Sequence, residues 1–92
     1  MLDERFLNFP DKDAHYDTLR DIALFNGNDG ERIIHCAISR EALEDHFDGD
    51  DKNPLAVFRA NRDRIEHEAR RKYLAGQLKA DGLILIETAD LS

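Results

Sequence analysis

The chain contains no tryptophan, one cysteine, two prolines and five glycines in 92 residues. Each shortage excludes something. A lone Cys36 leaves no partner for an intrachain disulfide. So little proline and glycine argues against a low-complexity linker. No wholly apolar run is longer than that from Leu83 to Ile86, far too short to cross a bilayer as a helix. Met1 to Arg5 shows no basic stretch leading into an apolar one, so no secretory signal is read there. These features together set the expectation of a cytoplasmic protein with no membrane association. Chemical motifs are missing too. No G-x-G-x-x-G, P-loop or G-x-S-x-G occurs, and no histidine or cysteine pair has metal-ligand spacing. No cofactor and no metal are expected.

What is present is charge and pattern. Charged residues make up 36% of the chain and hydrophobic residues 41%, which suits one folded domain over residues 1–92 with a modest core. The net charge is −7, unevenly spread. Residues 1–53 carry 6 positive and 14 negative side chains, whereas residues 54–79 carry 7 positive and 3 negative. An acidic body with one basic segment is compensated within the molecule or offers that segment to an anion.

The local pattern predicts strands at 5–9, 19–25, 31–38 and 83–88. A polar loop over 11–17, anchored by Tyr16, joins the first two. Asn26-Gly27-Asn28-Asp29-Gly30 reads as a hairpin turn, because Asn-Gly and Asp-Gly supply positive φ angles. Alternation in the returning strand sets Ile34, Cys36 and Ile38 on one face and Ile33, His35 and Ala37 on the other. Ser39 is placed to cap a short helix carrying Ala42, Leu43, His46 and Phe47. Residues 48–52 read as an acidic loop. Asn53 caps a second helix with Pro54 at its first position. The 3.6-residue period then suggests one long helix over 54–79. The predicted fold class is α+β, a two-layer sandwich of β-β-β-α-α-β order. Its sheet is mainly antiparallel, with the helices on one face.

The long helix holds the candidate sites. Leu55, Phe58, Ile65, Ala69, Tyr73 and Gly76 share a core-facing stripe with Arg62 inside it. A buried arginine is tolerable only if paired, so Arg62 should reach a carboxylate or carbonyls. A weaker opposite stripe runs through Ala56, Ala60, His67, Leu74 and Leu78. A helix of about 22 residues would span roughly 33 Å, longer than a six-residue strand of about 20 Å. Overhang and second stripe point to a homodimer, with Ala60, His67, Leu74 and Leu78 as interaction surface, or else an exposed sheet edge.

At this point the sequence resembles the bacterial domain-of-unknown-function family 1488. The resemblance rests on the stretches Ile38 to Phe47, Phe58 to Glu66, Ala69 to Tyr73 and Asp81 to Ile86, with Asp90 and Leu91. It implies a small α+β domain in a bacterial cytoplasm, and no activity, cofactor or catalytic residue.

Three functions are weighed. The favoured one is a non-enzymatic protein-interaction module, a homodimer with an unidentified protein partner. The first alternative is an RNA or DNA binder using the basic helix. Arg62, Arg70, Arg71 and Lys72 would be the anion contacts. Interleaved Asp63, Glu66 and Glu68 weaken that reading, since i, i+4 pairs describe a self-compensated helix. The second alternative is a binder or enzyme for a small anionic ligand, with a pocket near Arg62 and Tyr73. Cys36 and His35 are adjacent on a strand and point to opposite faces, so they form no catalytic pair. Cys36 reads as an inert core residue, and His46 as a hydrogen-bonded packing residue.

Overall fold

The computed structural model describes residues 7–10, 12–47 and 53–91. Its regular elements are β1 (Ala14–Asp17), β2 (Ile22–Asn28), β3 (Ile33–Ser39), α1 (Arg40–His46), α2 (Pro54–Ala60), α3 (Arg62–Leu74), β4 (Ile84–Ile86) and α4 (Thr88–Leu91). The sheet runs β1-β2-β3-β4. Its first two pairings are antiparallel and the β3–β4 pairing is parallel. This is the expected α+β sandwich, with the predicted long helix in two pieces and a short helix added at the end.

Strand register divides the sheet into two faces. Ala23, Phe25 and Gly27 lie opposite Ile38, Cys36 and Ile34, and Cys36 and Ile38 lie beside Ile84 and Ile86. These residues meet Ala42, Leu43, Phe47, Phe58, Ile65 and Ala69 from the helices in one buried cluster. Phe25 sits at its centre, with ring centroids 5.8 Å from Phe9 and 5.0 Å from Phe58. All the helical packing is on this side.

Several boundaries differ from expectation. The segment read as a loop before Asp17 contains β1. Leu19 and Arg20 belong to a turn rather than to β2, because the Asp17 Oδ1 accepts both their backbone N–H groups. Asp21 then takes a left-handed φ of 54°. The predicted strand at 5–9 is reduced to one bridge, Asn8 with Asn28; its first two residues and the 48–52 loop lie outside the described residues. The hairpin turn also comes later. Gly27 is a strand residue beneath Leu7 and Phe9, and an added Cβ would stand 2.7 Å from Leu7 Cδ1. The turn is built by Asp29, whose Oδ1 accepts the N–H groups of Glu31 and Arg32.

The predicted caps are present. Ser39 Oγ accepts from Ala42 N at 3.1 Å and Asn53 Oδ1 from Ala56 N at 3.1 Å. The long helix breaks at Asn61, whose backbone leaves the helical region at φ −120°, ψ 21°. Its side-chain amide donates to the Val57 carbonyl at 2.9 Å, a local bond that competes with helix continuation. α3 ends early because Gly76 adopts φ 73°. Gly76 N donates to Tyr73 O and Gln77 N to Lys72 O, the paired bonds of a glycine-terminated helix. At 13 residues α3 is about 20 Å long, so the overhang argument for a dimer no longer holds.

Candidate functional site: the open face of the sheet

Among the described residues, no helix lies over the second face of the sheet. Alternation places Asn26, Leu24 and Ile22 from β2, and Ile33, His35 and Ala37 from β3, on that side. His15 enters beside Leu24, and Leu85 beside Ala37. Leu83, which precedes β4, falls in line with His35 by the same register. None of these residues joins the helix-side cluster. Ala37 and Ile22 are sealed by their strand neighbours, Leu24, Leu83 and Leu85 are half-buried, and Ile33 is 59% exposed. The face is therefore apolar along its middle and not covered by any described helix.

A depression of about 400 Å3 lies on this face. Leu24 and Leu83 contribute apolar lining, and His15 and His35 contribute imidazoles. His35 is oriented by a cross-strand bond, its Nδ1 donating to Asn26 Oδ1 at 3.0 Å. Arg20 and Asp81 line the same depression from opposite edges of the sheet. Arg20 Nε donates to Asp17 Oδ2 at 2.8 Å, and Asp81 Oδ1 accepts from Leu83 N at 3.1 Å. The surface presents greasy area, hydrogen-bonding groups and one charge of each sign. It offers no activated nucleophile. Cys36 has its side chain on the helix side, fully buried, and burial pushes its thiol up to about 12. Among the described residues no group of three or more histidine, cysteine or carboxylate side chains could hold a metal ion.

The sequence-predicted sites fall elsewhere. Arg62 has the partners anticipated for it. Its Nε donates to Glu66 Oε2, its Nη1 donates to the Lys12 carbonyl at 3.0 Å, and its guanidinium lies over Phe58. Arg70 Nε donates to the Leu7 carbonyl at 2.7 Å and stacks over Phe9. Arg71 bridges Glu68, and Lys72 Nζ reaches Asp90 Oδ2 at 2.8 Å. All four named anion contacts are engaged inside the molecule. Glu68 pairs with Arg71, and Lys72 turns to Asp90 rather than to Glu68.

The second stripe does not form one ridge, because it assumed an unbroken helix. Ala60 ends α2 and is exposed; His67 and Leu74 are exposed on α3. Leu78 lies beyond the helix and packs, half-buried, against the core. His67 borders a separate hollow of about 390 Å3, where Arg64 lies 4.8 Å over the Phe47 ring. His46 is the packing histidine expected, its Nε2 donating to the Thr88 carbonyl at 3.2 Å. Tyr73 and Arg62 do not share a pocket. Arg62 borders a shallow hollow of about 170 Å3 at the α2–α3 junction, while the Tyr73 hydroxyl donates to Asp29 at the β2–β3 turn.

The open face was available from alternation alone. Leu24, His35 and Leu85 all oppose the core side of their strands, and helices confined to one layer leave that side bare.

The architecture defines a small two-layer α+β domain with one sheet face that no described helix covers. The chain belongs to the DUF1488 family of proteins of unknown function, whose family model matches residues 7–86. A solved relative is the crystal structure of a protein of unknown function from that family from Shewanella loihica PV-4. The two superpose with a TM-score of 0.81 at 19% identity, covering 94% of this chain and 96% of the other. That likeness establishes the shared fold. No curated protein matches the chain.

Proposed function

We propose that this protein is a non-enzymatic, cytoplasmic protein-interaction module that docks through the open face of its sheet. The observation that carries the reading is the row of Leu24, Ala37 and Leu85 at the middle of an uncovered four-stranded sheet. An antiparallel sheet with one solvated face normally turns polar residues outward. Apolar residues in contiguous rows mark a contact surface. Polar groups around them give a rim of the kind protein interfaces have.

The other readings draw less support. A nucleic-acid surface needs unopposed cations, and Arg62, Arg70, Arg71 and Lys72 are all held by carboxylates, carbonyls or rings. An anion pocket at Arg62 and Tyr73 would need both groups released from present partners. No helix among the described residues is long and apolar enough to cross a membrane.

Photo-crosslinking in cells tests the docking face. A photoreactive side chain at position 24 should give discrete protein adducts that are absent when the same probe stands at Leu74. Adducts at position 74 alone would overturn the reading in favour of the helix layer. Nucleic-acid adducts confined to position 74 would overturn it in favour of the basic helix.

A further inference from the structure

We infer that the occupant of the open face is a second copy of this chain, packed sheet to sheet about a two-fold axis. The inference rests on the docking-face reading and adds the partner.

The argument is self-complementarity. Arg20 sits in the turn after β1, at one edge of the sheet and near the Ile22 end of β2. Asp81 precedes β4 at the other edge, toward the end of the sheet where Ile33 pairs with Asn28. The two residues therefore occupy diagonally opposite corners of one face. A two-fold axis parallel to the face, along the other diagonal, brings each corner over its opposite number in the second copy. Arg20 of one protomer then meets Asp81 of its partner, and the pairing occurs twice.

Both groups have capacity for it. The Arg20 Nε serves Asp17, while its terminal nitrogens have no partner among the described residues. Its side chain is 60% exposed. Asp81 Oδ1 serves the Leu83 amide, and Oδ2 has no partner among the described residues. Between the corners, Leu24 and Leu85 of one copy would lie against the same rows of the other. Stacked sheets pack about 10 Å apart, a spacing that interdigitated leucine side chains fill. His15 and His35 flank the apolar rows and would border the contact.

Area sets the strength. Four strands at the usual spacing and rise give a face of roughly 300–450 Å2 in projection. Counted on both copies that is roughly 600–900 Å2, below the size of stable specific interfaces, so association is weak, reversible and dependent on concentration.

Sedimentation velocity across a wide concentration range tests the proposal on the intact chain. The wild type should shift from monomer to dimer as concentration rises. Leu24→Lys should abolish the shift. Arg20→Glu and Asp81→Lys should each weaken association, roughly three- to thirtyfold, because each removes two exposed ion pairs per dimer. The double variant should recover most of the affinity, with the charges exchanged. Both positions are exposed, and circular dichroism melts would establish that each variant is folded. A wild type that stays monomeric at every concentration overturns the second-copy proposal alone, leaving the docking face to the crosslinking test. Single variants that weaken association without recovery in the double overturn the corner pairing. A dimer indifferent to Leu24→Lys places the self-contact elsewhere and overturns the second-copy proposal, again leaving the docking face to the crosslinking test.

Discussion

The Tyr73 hydroxyl donates to Asp29 Oδ2 at 3.0 Å, joining the end of α3 to the turn between β2 and β3. The same carboxylate accepts the Glu31 and Arg32 amides through its other oxygen. Those backbone bonds, from Glu31 first and then Arg32, hold the Asp29 carboxyl below its ordinary range despite desolvation, with Tyr73 adding to them. Tyr73→Phe removes one donor and keeps the ring. It should lower stability by about 1 kcal/mol, read from urea unfolding. An unchanged midpoint would show that the bond adds nothing over solvent.

Gly27 is required by the side chain above it. Gly27→Ala places a methyl group against Leu7, which is 1% exposed. Overpacking of this kind costs about 1–3 kcal/mol. Adding Leu7→Ala opens the space, so the double variant should lose less than the two single variants combined. Additive losses would mean that the two sites do not touch.

Acid should weaken the fold. Asp17, Asp29 and Asp90 all have carboxyls held below the ordinary value. For Asp90, burial works upward, and donation from Lys72 and from the Glu87 amide overrides it. A lowered folded-state pKa stabilises the fold above the unfolded value and loses that stability as pH falls through the folded one. Melting temperature should therefore be level near neutrality and fall below about pH 4. Lys72→Met should flatten part of that fall. A melting temperature that rises on acidification would contradict the assignment.

The Cys36 thiol, pushed up to about 12 by burial, should resist iodoacetamide at pH 8 in the folded protein and react on unfolding. The alkylation rate should then follow the unfolded fraction. Rapid reaction under native conditions would mean that the thiol is not buried.

The sequence carried some of this plainly. Period-2 alternation through Ile34, Cys36 and Ile38 identified the core face of β3, and Ser39 and Asn53 announced two helix starts. Arg62 declared its need for partners by standing inside an apolar stripe. Other features depended on contacts that no local pattern contains. Asn61 carries no strong breaking signal, yet its side chain turns back to Val57 and divides the helix. Gly27 follows Asn26 as turn glycines do, but Leu7, distant in sequence, decides its place in a strand. Periodicity at 54–79 drew the candidate surface onto the helix layer. Helices on one side of a single sheet imply a bare opposite side, and His35 was already assigned to the face of β3 that forms it.

The most direct measurement is carbene footprinting of the open face in intact cells, set against purified protein at high dilution. Leu24, Leu83 and Leu85 should be labelled when dilute and shielded in cells, with Leu74 labelled equally in both. Equal labelling of the three sheet residues, with Leu74 shielded in cells, would contradict docking through the open face and return the interface to the helices.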